Sequence, residues 1–104
     1  ALAKAHDTWI VTDEIYEYIT FDAPHLSIAT LTDARGRTIT LGGPSKTYAV
    51  TGWRIGYAVG PAEVIQKALV VNDLFYICAP APLQLVTGLL LLGLAWGLRR
   101  RALA

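Results

Sequence analysis

The sequence predicts an α/β fold: a mostly parallel sheet flanked by helices. Three features carry that expectation. Two short β-branched runs, residues 8–12 and 37–41, have the composition of buried strands. The interval between them exceeds the dozen or so residues that a parallel crossover needs. A helical apolar pattern then follows Gly60-Pro61, where proline suits a first turn.

Taken in order, residues 2–6 fit the last turn of a helix, and Thr8-Trp9-Ile10-Val11-Thr12 is the first strand, ending at Asp13. Turn-forming text runs from Phe21 to Arg35, with a short helix expected around 26–31 between Asp22-Ala23-Pro24 and Asp33-Ala34-Arg35-Gly36. Arg37-Thr38-Ile39-Thr40-Leu41 is the second strand, closed by Gly42-Gly43-Pro44. Ile55 to Val59 is the third. Residues 62–74 form a helix whose apolar face is Val64, Ile65, Ala68, Leu69 and Val71. A break at Ala79-Pro80-Ala81-Pro82 precedes the apolar stretch 83–98. With the first two strands parallel, Asp13 and Lys46 emerge at one edge, and ligands of open α/β sheets sit outside the carboxyl ends of the strands.

Composition narrows the function classes. At 104 residues the chain is at most one domain, long enough to bury a core without disulfides or metals. With 54% apolar and 16% charged residues it is not disordered, and unusually complete burial is expected, much of it against other protein. A net charge of +1, without a basic stripe before Arg99-Arg100-Arg101, leaves a nucleic-acid partner unsupported. The lone Cys78 reads as a small buried hydrophobe, and without a Cys/His cluster there is no zinc signal. A reducing, cytoplasmic location fits, and no signal peptide is readable at the start.

The densest chemical signal is Ser45-Lys46-Thr47-Tyr48-Ala49-Val50-Thr51-Gly52-Trp53-Arg54-Ile55-Gly56-Tyr57, preceded by Val11-Thr12-Asp13-Glu14-Ile15-Tyr16. Here the chain resembles the class I and II aminotransferases of fold type I, from about residue 2 to 84, with both motifs in the family's order and spacing. The resemblance implies a piece of the large, pyridoxal 5'-phosphate-binding domain over 1–84, with one antiparallel strand at about 55–60. Residues 85–104 stand apart as an apolar C-terminal helix of uncertain origin.

It also implies roles. Lys46 takes the place of the lysine that forms a Schiff base with the cofactor aldehyde and then, freed by the incoming amino acid, moves the substrate's α-proton. That requires a partly neutral amine, and a cationic neighbour such as Arg54 favours one. Asp13 matches the carboxylate that keeps the pyridine nitrogen protonated. Tyr16 matches the tyrosine bonded to the ring oxygen, and Arg54 the arginine that grips the phosphate, a task suited to a planar bidentate donor. One departure is Gly43, where many members carry a phosphate-binding serine.

The expected reaction transfers an amino group between an amino acid and a 2-oxo acid, and full-length relatives are expected to be homodimers. A glycine-rich phosphate loop, a stacking aromatic and an asparagine upstream, and a carboxylate-binding arginine downstream, are not locatable in the chain. Incomplete function in isolation is therefore expected. A different class of function shares the same four residues: a non-catalytic, ligand-sensing module of a regulator.

Each residue also has a plainer reading. Alone, Lys46 is an exposed loop lysine, Asp13 a strand-end turn former, and Tyr16 a core aromatic with its hydroxyl at the surface. Glu14 beside Asp13 points to the opposite face of an extended segment, so the two are not an acid/base pair. His6 and His25 read as surface or capping residues, and Trp53, Tyr48 and Tyr57 as packing. The uncharged run 85–98 is about 21 Å long as a helix, short of the roughly 30 Å of bilayer hydrocarbon, so a membrane anchor is not expected. A small membrane-associated peptide driven by this tail is a third reading.

Overall fold

The computed structural model describes residues 1–31 and 33–102. Its elements are α1 (Leu2–Ala5), β1 (Ile10–Asp13), β2 (Thr38–Gly42), α2 (Pro44–Thr47), β3 (Tyr57–Val59), α3 (Ala62–Phe75) and α4 (Ala81–Ala102), with single 3₁₀ turns at Ile28–Thr30, Arg35–Arg37 and Thr51–Trp53. The three strands form one sheet in the order β1-β2-β3. β1 runs parallel to β2, with Ile10 opposite Thr38 and Asp13 opposite Leu41, and β3 is antiparallel to β2. This is the α/β architecture expected, including the antiparallel third strand.

Each strand begins later than its composition implies, for a local reason. Thr8 is spent on the turn that leaves α1: its amide donates to the Ala3 carbonyl (2.9 Å), and its own carbonyl accepts from Arg37 Nη1 (3.0 Å). The same guanidinium also reaches the Ala3 carbonyl and Asp7 Oδ1, stitching the entry of β1 to the entry of β2. Arg37 itself closes a 3₁₀ turn, its amide bonding the Ala34 carbonyl at 3.0 Å, so the ladder opens at Thr38. Thr38 is the most buried of the described residues, 1% exposed, and its hydroxyl donates to the Ala34 carbonyl at 2.8 Å.

Before β3, residues 55–56 cross Gly42-Gly43 too closely to join the ladder. A Cβ on Gly43 would lie 2.9 Å from the Ile55 carbonyl oxygen, and one on Gly42 would lie 2.7 Å from the Tyr57 ring. The helix expected at 26–31 shrinks to the turn Ile28–Thr30, because Ser27 and the Ile28 amide are drawn to the Glu14 carboxylate.

α3 matches its expected span within one residue. α4 starts at Ala81 rather than 83, since Pro82 falls within the first turn, where its missing N–H costs nothing. Among the described residues no helix is long and apolar enough to cross a membrane.

Two packing expectations are overturned. The chain exposes 8367 Å², whereas a folded monomer of 11.3 kDa exposes about 5,700 Å². Among the described residues the buried apolar side chains are Ala34, Pro44 and Ile55, and none of α3 is buried. A three-stranded sheet has too little surface to cover α3 and α4, so their apolar faces stay open. Cys78, expected inside, is exposed for the same reason: it lies between these helices where no element covers it.

Candidate cofactor-binding site

Parallel pairing of β1 and β2 sets the site. Asp13 ends β1 opposite Leu41, and Gly42-Gly43 carries the chain from β2 into α2, which holds Lys46. Pro44 takes the first position of this short helix and is buried with Ser45, while Lys46 is exposed. The Tyr48 amide closes the turn on the Pro44 carbonyl at 3.0 Å.

Lys46 meets Tyr16. Its Nζ lies 5.6 Å from the centroid of the Tyr16 ring, within cation–π range. Tyr16 sits in the turn that follows β1, held by the Glu17 amide on the Glu14 carbonyl (3.0 Å) and the Ile19 amide on the Tyr16 carbonyl (2.8 Å). Asp13 is exposed, and its Oδ1 accepts the Ile15 amide at 3.3 Å, which orients the carboxylate beside that turn.

Arg54 follows the turn Thr51–Trp53 in the left-handed region, φ 53°, ψ 39°. Its Nη1 reaches the Thr51 carbonyl at 3.5 Å. Thr51 in turn donates its hydroxyl to the Ser45 carbonyl at 3.3 Å, bracing the arginine's turn against the turn that bears Lys46. Asp13 lines a concavity between the sheet and α3 with Gly56, Leu69 and Asn72, and Arg54 lines an adjoining one that shares those three residues.

The four expected site residues therefore occupy one end of the sheet in two groups: Lys46 against Tyr16, and Asp13 and Arg54 on adjacent concavities. No ion pair joins Asp13 to Lys46 among the described residues.

Glu14 has no role in the motif resemblance and is excluded by alternation as an acid/base partner of Asp13. As expected from strand alternation, it points away from Asp13, inward, and is 7% exposed. Its Oε1 accepts from Thr12 Oγ1 (3.0 Å), Ser27 Oγ (3.1 Å) and the Ile28 amide (3.3 Å), and its Oε2 lies 2.9 Å from His25 Nε2. The histidine must carry a proton on Nε2 for this contact. Burial raises the Glu14 pKa, but the bonds from His25, Ser27, Thr12 and Ile28 outweigh it and hold the carboxyl below its ordinary value. His25 thus caps a carboxylate. The available signal was alternation: Glu14 inward on the strand, with His25 and Ser27 two residues apart on the returning loop.

Tyr57, expected as a packing residue, lies across Gly42 and also donates its hydroxyl to Glu17 Oε1 at 3.4 Å. Its pKa is raised by burial and by the charges of Glu17, Tyr18 and Glu14, which keeps it a donor. A serine in place of Gly43 would press its Cβ on the Ile55 carbonyl, which accounts physically for the glycine here.

The family model for aminotransferase class I and II matches residues 1–91, seven residues beyond the stretch in which the motifs are readable and into α4. The chain belongs to the class I and II aminotransferases. Among relatives of this aminotransferase chain, kynurenine–oxoglutarate transaminase 3 of Mus musculus is 44% identical over 85 residues, covering 80% of the chain and 18% of the relative. Aspartate aminotransferase of Musicola paradisiaca is 45% identical over 84 residues, covering 80% and 21%.

A solved aromatic aminotransferase from Pyrococcus horikoshii superposes with a TM-score of 0.75 at 37% identity, over 80% of this chain and 22% of that one. N-succinyldiaminopimelate aminotransferase from Mycobacterium tuberculosis gives 0.76 at 38% identity, over 80% and 22%. The chain thus spans about a fifth of the length of these aminotransferases, and its fold matches that part of theirs.

Proposed function

We propose that this chain is part of the pyridoxal 5'-phosphate-binding domain of an aminotransferase acting on an amino acid and a 2-oxo acid, with residues 1–84 supplying Lys46, Asp13, Tyr16 and Arg54 to the cofactor. The observation that carries the reading is the gathering of an amine, a phenol, a carboxylate and a guanidinium at the carboxyl end of two parallel strands, with Lys46 Nζ over the Tyr16 ring. This donor set fits a phosphorylated pyridine aldehyde. When bound, the cofactor supplies an electron sink for charge developing at the substrate's α-carbon.

The chain's own residues then have distinct tasks. Lys46 Nζ is the nucleophile that would hold the aldehyde covalently and, once released, the base that takes a proton from the substrate's α-carbon. The Asp13 carboxylate would hold the proton on the ring nitrogen. The Tyr16 hydroxyl would donate to the ring oxygen, and the planar fork of Arg54 suits two oxygens of one phosphate. Residues 85–104 have no task in this reading. None of the relatives named above is a regulator, and the ligand-sensing alternative finds no support.

The test is covalent. The chain is incubated with pyridoxal 5'-phosphate, reduced with borohydride and mapped by peptide mass. Label is expected on Lys46 and lost in Lys46→Ala. Label absent from Lys46, or spread evenly over Lys4, Lys46 and Lys67, overturns the reading.

A further inference from the structure

We infer that Glu14 is a positioning residue for the cofactor site, a buried carboxylate that fixes Asp13 and Tyr16 by clamping the end of β1 to the loop of residues 25–28. The inference rests on the function proposed above, and the observations behind it are independent of any cofactor. Glu14 lies between the two residues it would position. Its backbone is held on both sides: its amide donates to the Leu41 carbonyl at 2.9 Å, carrying the β1–β2 pairing one residue past Asp13, and its carbonyl accepts the Glu17 amide at 3.0 Å, which closes the turn bearing Tyr16.

Its side chain is held from the far side. Oε1 takes three donors, from Thr12, Ser27 and Ile28, and Oε2 takes His25. A carboxylate offers about four acceptor directions, two on each oxygen; Oε1 shares its two among three donors and Oε2 spends one on His25. Charge-assisted bonds of this kind are roughly twice as strong as neutral ones, and in a buried site they fix a single rotamer.

The geometry makes Glu14 the point from which the Asp13 carboxylate and the Tyr16 ring take their direction. Asp13 is exposed, and its one observed side-chain bond, to the Ile15 amide, lies within this segment. Tyr16 is 57% exposed and touches Lys46 from a turn whose long-range hydrogen bonds, among the described residues, run through Glu14 and the Tyr57–Glu17 contact. Neither side chain is wedged by packing. A rotation of the Glu14 backbone would therefore swing both, while the clamp prevents that rotation. Glu14 itself touches no reacting group, since it points to the opposite face of the strand.

The test compares the whole chain with Glu14→Ala and Glu14→Gln, using His25→Ala and Ser27→Ala as milder variants that remove one donor each and keep the carboxylate, should Glu14→Ala fail to fold. Three readouts need no cofactor: exchange protection of the Ile28 amide, exchange protection of the Ile15 amide, and the ring-current shift that Tyr16 imposes on the Lys46 side chain. A fourth is borohydride-trapped labelling of Lys46 at limiting pyridoxal 5'-phosphate.

In Glu14→Ala, or in the milder pair combined, Ile28 protection is expected to fall by about tenfold or more. Ile15 protection, the ring-current shift and labelling should fall with it. Glu14→Gln, which keeps a carbonyl acceptor, should restore most of each. Unchanged Ile28 protection, or loss at Ile28 with Ile15, the ring-current shift and labelling at wild-type levels, overturns the inference. A wild-type chain that never labels at Lys46 overturns the proposed function instead, and the three cofactor-free readouts still decide the clamp.

Discussion

Arg54 combines two demands that pull against each other. Its backbone is left-handed, φ 53°, a region that costs a non-glycine L-residue about 1–2 kcal/mol. Its guanidinium is the group proposed to take the phosphate. Arg54→Gly should therefore raise stability by about 1 kcal/mol in urea unfolding while reducing borohydride-trapped label on Lys46, and loss of both together would count against this division. Glu14 gives the residue-scale pH dependence. Its carboxyl is held below the ordinary carboxylate value of 4.5, so its stabilisation is fully present above that pH and drains away as pH falls through the lowered value. Acid unfolding followed by circular dichroism should thus show a loss below about pH 4.5 that Glu14→Gln removes. The candidate residues Asp13, Tyr16, Lys46 and Arg54 were readable through the resemblance of their motifs to those of the class I and II aminotransferases. The clamp was not, because it joins residues 11 to 14 positions apart through side-chain bonds that no local pattern encodes.

Among the elements, the sheet carried the clearest signal and the junctions the weakest. The parallel pairing of β1 and β2 followed from the length of their connection, yet each strand's first residue was decided by what competes for its backbone: Thr8 by α1, Arg37 by a 3₁₀ turn, Ile55 and Gly56 by close passage over Gly42-Gly43. The exit of α3 shows the same competition. Ile77, just past the helix end, has φ 66° with its amide bonded to the Asn72 carbonyl at 3.1 Å, a left-handed position that glycine usually fills where a helix ends this way. A β-branched residue there is strained, so Ile77→Gly should stabilise the chain by about 1–2 kcal/mol, read as a higher urea midpoint with an unchanged slope. An unaltered or lower midpoint would mean that the strain is relieved elsewhere.

For the molecule as a whole, open apolar surface dominates. The radius of gyration is 15.6 Å, against about 13 Å for a compact chain of this length. On α4, Leu85, Leu89, Leu92 and Trp96 fall on one stripe at helical spacing, and all four are exposed. Such a surface associates in water. The average mass from sedimentation equilibrium should rise with concentration, and Leu89→Glu with Leu92→Glu should shift it back toward 11.3 kDa. A chain that stays monomeric throughout would show that α4 folds back onto its own sheet. Apolar content foretold burial correctly only as a need. Whether the need is met depends on how much sheet and helix face one another, and three short strands offer too little.

The sequence by itself determined the family, the α/β order of elements and the four residues proposed to meet the cofactor. The order of elements follows from local spacing and the stereochemical limits on connecting parallel strands, and the family and the four residues follow from two motifs that resemble those of the class I and II aminotransferases. Only the tertiary structure decided that Lys46 rests against Tyr16, that Thr51 ties the arginine's turn to the lysine's, that Glu14 faces inward to four donors, and that most of the apolar surface stays in contact with water. The physical reason is the same in each case. Side-chain bonds across long loops and the balance of buried against open surface depend on distances in space, and a linear pattern carries those only where one element directly fixes the next.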